Sequence, residues 1–206
     1  YITKSAGGAI GLVLHAKNEA AREIRQTLWM TSGTAKGGKN FYEKDGEKHY
    51  LPGFLLANSL ALLTIGKELS EVDTEIKVVN VYSPDAKAEV PTKVEMVVDL
   101  LGKEILIGLI KQTVDKTQKN DAGVYVATGE TRDENEIDKL FRARDRKTVT
   151  EIRAQAEEAA FVATWEAKWA GHVRNKAKGA AVAGVAGAPK VGSPATSTKP
   201  KASLFA

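Results

Sequence analysis

The sequence predicts a mainly β domain with helices, in which short strands close into a small barrel. Two apolar segments, residues 93–99 and 104–114, have the composition of strands and are the longest such segments in the chain, with a tight connection at residues 101–103. A polar loop over residues 115–123 then leads to a further short strand over residues 124–128. Long apolar strands joined by a basic loop suit a small barrel that holds an anionic ligand at its rim.

Two strands are predicted at the start of the chain. Residues 10–16 are apolar and β-branched, and residues 22–31 alternate between an apolar side and a polar side, with Gln26 as the exception. This alternation is typical of an antiparallel strand with one face in water. Trp29 falls on the polar side, so its ring is expected at the surface.

A hairpin and a buried helix are predicted next. Residues 32–40 form a loop rich in Gly and Lys, and residues 41–50 form a hairpin around Asp45-Gly46, a pair favoured in primed turns. Residues 54–65 are apolar around most of a helix circumference, which predicts a buried helix that ends near Gly66.

The middle of the chain adds further strands. Residues 75–83 predict a strand, residues 83–85 a turn, and Pro91 the boundary of the next strand. Residues 128–136 are acidic and read as irregular structure. Residues 137–144 fit either a last strand or a helical turn, and we favour the strand.

The C-terminal part divides into a helix and a tail. Thr148 and Glu151 have the spacing of a capping box, which predicts a helix, interrupted or continuous, that extends to about Val173. Phe161, Trp165 and Trp169 recur on one face of this helix. That face is expected to pack against the barrel or against a neighbouring subunit, and is the candidate surface for a homo-oligomer.

We therefore divide the chain into an OB-fold-like domain (residues 1–147), a helical extension (148–175) and a low-complexity tail (176–206). The whole chain has 30 basic and 26 acidic residues, and from Arg174 onward there are six basic residues and no acidic ones. The part before Arg174 thus carries a net charge of about −2. Any anion site on the body must be a local basic patch.

Several kinds of chemistry lack support in the sequence. There are no cysteines, the histidines are scattered without metal-ligand spacing, and we predict neither a cofactor nor a metal site. Residues 33–40 nearly match a phosphate-binding loop, but Asn40 replaces the required hydroxyl residue and an aromatic hairpin follows in place of a helix. No apolar stretch is long enough to span a membrane. We predict a protein that is not an enzyme.

What remains is a pattern of aromatic residues interleaved with lysines and arginines. Proteins that hold single-stranded nucleic acid use this combination, because bases stack on rings while basic side chains follow the phosphates. An isolated aromatic ring is more often part of a core than a stacking surface, and we expect this for Phe41, Tyr82 and Phe141. Trp29 is expected to be a stacking surface, because the apolar residues of its strand lie on the opposite face. The predicted nucleic-acid-binding residues are Arg25, Trp29, Lys36, Lys39, Phe41, Tyr42, Lys44, Lys48, Tyr50, Lys77, Tyr82, Lys111, Lys116, Lys119, Tyr125, Arg142 and Arg144.

The order of elements suits a five-stranded Greek-key OB barrel with an inserted helix. Three segments also resemble bacteriophage single-stranded DNA-binding proteins: Ile2-Thr3-Lys4-Ser5, the run from Asp99 to Lys111, and Phe141 to Arg144 with Thr148 to Ile152. The resemblance spans roughly residues 1–175. It implies an OB fold that coats single-stranded DNA without sequence preference in the cytoplasm of a bacterial host, during phage replication or recombination.

One feature departs from the family pattern. Many single-stranded DNA-binding proteins end in an acidic tail with an apolar tip that recruits partners, whereas this tail is basic and keeps only the tip, Leu204 and Phe205. We expect the tail to add DNA affinity or to dock on an acidic surface of a replication or recombination protein. The alternative function is a structural or virion assembly protein that uses its tail and C-terminal helix for subunit contacts.

Overall fold

The computed structural model describes residues 1–83, 85–121 and 125–178. It is mainly β and is built from sheets of antiparallel strands. The helices are α1 (Pro52–Ile65), α2 (Val149–Arg153) and α3 (Ala160–Trp169). The strands are β1 (Ile2–Lys4), β2 (Ile10–Lys17), β3 (Glu23–Trp29), β4 (Phe41–Lys44), β5 (Glu47–Tyr50), β6 (Thr74–Ser83), β7 (Ala88–Val97), β8 (Ile105–Lys119), β9 (Tyr125–Arg142) and β10 (Val173–Asn175).

These strands form three sheets. The first has the order β3-β2-β1-β7-β6, the second β10-β8-β9, and the third is the β4–β5 hairpin. All pairs are antiparallel except β10, which lies parallel to β8. In the first sheet β1 joins two parts of the chain that are far apart in sequence, because it pairs with both β2 and β7.

Helix α1 lies in the core between the two larger sheets. It contacts β3 of the first sheet and β8 and β9 of the second. The apolar run predicts such a buried helix, and its end is confirmed, since Gly66 ends the helix with φ = 72°. The helix begins at Pro52, two residues before the predicted start. The buried cluster around the helix contains Leu12, Leu28, Met30, Ala57, Leu60, Leu63, Val97, Ile137 and Leu140.

The prediction of a loop is wrong for residues 115–119 and agrees with the structure at residues 120–121, and the prediction of irregular structure for residues 128–136 is wrong. Strand β8 continues through Lys119, and β9 runs as one strand from Tyr125 to Arg142; residues 122–124 lie outside the described part. The two strands form a long ribbon, paired as far as Lys119 and Tyr125. Its outer half is exposed on both faces, so it carries polar residues on both faces and lacks the alternation that reveals a half-buried strand.

Pro91 does not bound a strand, because β7 runs through it and Pro91 lies opposite Asn80 of β6. The pairing of β1 with β7 occurs at Glu95 and does not include Pro91, so the missing N–H disrupts no ladder on that side. Strand β6 confirms the prediction for residues 75–83, whereas Pro84 of the predicted turn lies outside the described residues.

The C-terminal extension contains two helices. The capping box is confirmed, since Thr148 accepts a hydrogen bond from the Glu151 backbone and Glu151 reaches back to Thr148. However, α2 ends at Arg153, and Gln155 adopts a left-handed φ of 53° before α3 begins. On α3, Phe161 and Trp165 pack against Phe141 of the chain's own sheet, with ring centroids 6.4 and 5.8 Å apart.

Within the described ranges, no helix combines the length and the apolar character needed to cross a bilayer. Most of the tail, including Leu204 and Phe205, lies outside these ranges.

Candidate nucleic-acid interface

The β4–β5 hairpin carries three of the six predicted aromatic residues, Phe41, Tyr42 and Tyr50. Asp45 and Gly46 both have positive φ values, 54° and 82°, as a primed two-residue turn requires. This turn sets the register, which places Phe41 opposite Tyr50 and Tyr42 opposite His49. The two pairs point to opposite faces of the hairpin because neighbouring positions on a strand alternate.

Phe41 is already engaged by two lysines. The ammonium groups of Lys48 and Lys39 lie over its ring, 4.9 and 5.4 Å from the centroid, within the range of cation–π attraction. Tyr50 meets the same ring edge-on at 6.3 Å. Phe41 therefore serves to position the two lysines, and a base that stacks on it has to displace one of them.

Tyr42 and Tyr50 are the more accessible rings of the hairpin. Each is about half exposed, and each stacks on a second ring: Tyr42 on His49 and Tyr50 on Phe54, both with centroids 5.3 Å apart. The sequence prediction had omitted His49 and Phe54. His49 could have been found from the sequence, because a two-residue turn at Asp45-Gly46 pairs position 42 with position 49.

The loop before the hairpin is fixed at its base by backbone hydrogen bonds. The N–H of Thr34 donates to the carbonyl of Gly7 at 2.8 Å, and the N–H of Ser32 donates to that of Lys39 at 2.8 Å. Lys36 lies in a short 3₁₀ turn of this loop. Among the residues described, none of the four lysines of the loop and hairpin, Lys36, Lys39, Lys44 and Lys48, has a carboxylate within 4.0 Å.

Trp29 lies on the outer face of the first sheet, as predicted, with 43% of its surface exposed. Its ring covers Gly11 on β2: a Cβ at that glycine would lie 2.8 Å from a ring carbon. Arg25 is on the same face of β3, where its guanidinium donates to the Tyr1 hydroxyl and lies 5.9 Å from the centre of that ring. A small residue at position 11 is thus what lets the indole lie flat on the sheet.

Two of the three predicted lysines of the β8–β9 ribbon are paired with acids. Lys111 pairs with Asp133 at 2.8 Å and Lys116 with Glu130 at 2.9 Å. Hydrogen bonds from these lysines are the main reason why the pKa of each carboxyl lies below its ordinary value. Lys119, at the outer end, lies over the exposed ring of Tyr125 at 5.5 Å.

The remaining predicted residues are dispersed. On β6, Lys77 pairs with Glu75 at 2.6 Å and points to the face opposite Tyr82. Phe141 is fully buried, and the Arg142 guanidinium is held by Asp145 in the turn that follows β9. That contact lowers the pKa of Asp145 to about 2. Arg144 is exposed in the same turn.

The structure thus places seven predicted residues on the hairpin and the loop before it, and Arg25 and Trp29 together on one face of the first sheet. The seven are Lys36, Lys39, Phe41, Tyr42, Lys44, Lys48 and Tyr50. The other predicted residues lie on β6, on the β8–β9 ribbon and in the turn at its end, and four of their six basic side chains are paired with acids. In the part of the chain described here, no three His, Asp or Glu side chains are grouped as a metal site would require. No known protein family, curated protein or solved structure matches this chain.

Proposed function

We propose that this protein binds single-stranded DNA without catalysis and with little sequence preference, and protects it during phage replication or recombination in the cytoplasm of the host. The observation that carries the proposal is the β4–β5 hairpin with its loop. This element carries four lysines that have no carboxylate within 4.0 Å, and two half-exposed tyrosines, Tyr42 and Tyr50, on opposite faces of the hairpin. Single-strand binding needs two components, which are aromatic rings that stack on the bases and basic side chains that contact the phosphates.

The distribution of ion pairs supports this location. A lysine already held by a carboxylate must break that contact before it neutralises a phosphate, as Lys111, Lys116 and Lys77 would have to do. In the described residues no carboxylate lies within 4.0 Å of the hairpin lysines, although Glu43 and Glu47 lie across the hairpin from Lys48 and Lys44. Because the body before Arg174 carries slightly more acids than bases, binding depends on this local patch.

An OB-fold-like barrel is part of the proposal. Strands β1, β2 and β3 form an antiparallel meander, and β1 also pairs with the distant β7, a connection of the Greek-key type. Helix α1 follows the hairpin and packs beneath β3. In this arrangement Trp29 and Arg25 form one side of the binding groove and the hairpin forms the other.

The direct test is a mobility-shift titration of the full chain with an oligo-dT strand, the matching duplex and the same sequence in RNA. We expect the single strand to bind more tightly than the duplex, with affinity that falls steeply with salt. Tryptophan fluorescence should be quenched on binding, and Trp29→Phe should remove most of the quenching, because Trp165 is packed against Phe141 and the ring of Trp169 is contacted by Lys168 and Arg174. A chain that ignores all three nucleic acids would instead support the structural or virion role.

A further inference from the structure

Strand β6 forms one edge of the first sheet and carries an exposed apolar row. Ile76, Val78 and Tyr82 alternate along it, with 68%, 62% and 54% of their surfaces exposed. Proteins normally protect a long edge strand with charges, bulges or covering segments, because its free backbone groups recruit other strands. In the described residues β6 pairs with β7 alone, so its outer edge is uncovered.

The charges on β6 and β7 disfavour nucleic acid as the ligand of this edge. The two charged residues of β6, Glu75 and Lys77, pair with each other at 2.6 Å on the opposite face from the apolar row. On the same face as the row, the neighbouring strand β7 presents Glu89, Lys93 and Glu95. A neutral apolar row beside a net negative one repels a phosphate backbone, whereas a second uncharged strand can approach it.

We propose that β6 is a self-association edge, which pairs antiparallel with β6 of a second copy of this chain. The strand is complementary to itself. With Val79 on the two-fold axis, residues 75–83 of each copy pair with residues 75–83 of the other, and Ile76 lies opposite Tyr82 of the partner subunit. Aromatic and β-branched residues are favourable cross-strand neighbours, and in this register no like charges face each other.

The contact also keeps the apolar rows together. Because opposed residues in an antiparallel pair point to the same face, the two rows join into one apolar patch across the dimer axis. The aromatic face of α3, which the sequence also offered for this role, is partly occupied, since Phe161 and Trp165 cover Phe141 of their own chain. The edge of β6 requires no rearrangement of the fold and does not depend on nucleic-acid binding.

The test is sedimentation equilibrium of the full chain without nucleic acid. The wild type should be a dimer, and the double variant Ile76→Lys, Val78→Lys should weaken the association at least tenfold. Both side chains are exposed, so circular dichroism and the melting temperature should stay near wild type. Leu101→Lys, an equally exposed apolar residue in a turn, is the matched control and should remain dimeric.

A cross-link gives a second measurement. The chain has no cysteine, so Val79→Cys introduces a single thiol at the axis, where we expect a disulfide to form between copies under mild oxidation. Leu101→Cys should cross-link much more slowly. The proposal would be overturned if the wild type is monomeric at every soluble concentration. It would also be overturned if the double variant Ile76→Lys, Val78→Lys dimerises as tightly as the wild type.

Discussion

The side-chain oxygen of Gln26 accepts a hydrogen bond from the backbone N–H of Ile137 at 2.9 Å, which joins the two larger sheets. Gln26 occupies an inward position on β3, and Ile137 is fully buried on β9. Next to this bond β9 carries a bulge, where Asp138 is an extra residue relative to β8. The polar residue that interrupts the apolar side of β3 thus satisfies a backbone donor in the core.

Replacing Gln26 by Met should lower the free energy of unfolding by about 1–3 kcal/mol, because the shape is kept while the Ile137 N–H loses its acceptor. Gln26→Glu retains an acceptor oxygen and should lose less. Urea unfolding of the two variants measures the difference. Equal stability of Gln26→Met and the wild type would mean that water replaces the side chain.

Gly53→Ala should destabilise the protein although alanine is the better helix former. A Cβ at position 53 would lie 2.2 Å from the carbonyl oxygen of Trp29, so α1 and β3 would have to separate. We expect a loss of about 1–3 kcal/mol, against a gain of about 0.5–1 kcal/mol from helix propensity alone. Ser59→Ala in the same helix is the control, with thermal melting as the measurement.

Acid should weaken the turn after β9 through Asp145. The Arg142 guanidinium holds the pKa of this carboxyl at about 2 in the folded protein, below its ordinary 3.8. Because the pKa is lower in the folded protein, the contact stabilises the fold fully at pH values above the pKa of Asp145 in the unfolded chain. This stabilisation is lost as the pH falls from 3.8 to about 2.

Arg142→Ala should therefore be less stable than the wild type near neutral pH. The difference in the free energy of unfolding between the two proteins should decrease as the pH falls from 3.8 to about 2. Urea midpoints measured at several pH values test this. A gap that stays constant with pH would show that Arg142 acts through packing of its stem.

The salt dependence of DNA binding should separate the two groups of lysines. Removing Lys36 and Lys44 should reduce the slope of log K against log salt by about 0.7 for each lost phosphate contact. Removing Lys111 and Lys116 should leave the slope near wild type, because carboxylates already hold these two side chains. The opposite result would move the binding surface to the β8–β9 ribbon.

Tyr42→Ala should cost about 1–3 kcal/mol of binding to oligo-dT if a base stacks on this ring. Tyr42→Phe keeps the stacking surface and should bind almost as the wild type does. Leu101→Ala, which truncates a comparably exposed side chain in the turn before β8, is the control. Fluorescence titration at one fixed salt concentration compares the variants.

The sequence predicted the elements whose residues have distinct inner and outer faces or strong turn signals. The alternation around Trp29, the Asp45-Gly46 turn and the apolar run of α1 each determine local structure directly. The outer half of the β8–β9 ribbon was missed because both of its faces are in water and it therefore lacks periodicity. The break between α2 and α3 depends on the left-handed Gln155, which no glycine or proline signals.

For the candidate site, the sequence identified the residue types but not their partners. A lysine near an aromatic residue in sequence can pair with a ring, as Lys48 does, or with an acid on a neighbouring strand, as Lys116 does. Which of these occurs depends on strand register, and a register shift of the β8–β9 pair lies between Asp115 and Thr117. The pairing that separates free from neutralised cations is therefore a property of the folded chain.

The single long strand β9 has a consequence for local opening. Its C-terminal part contributes Ile137, Leu140 and Phe141 to the core, whereas residues 125–131 are exposed and pair with β8 alone among the described strands. Amide hydrogens near Leu140 should therefore exchange only through global unfolding, while those near Tyr125 exchange through fraying. One continuous strand thus combines the most protected and the least protected backbone of the second sheet, and the ribbon can bend or unpair while the core stays folded.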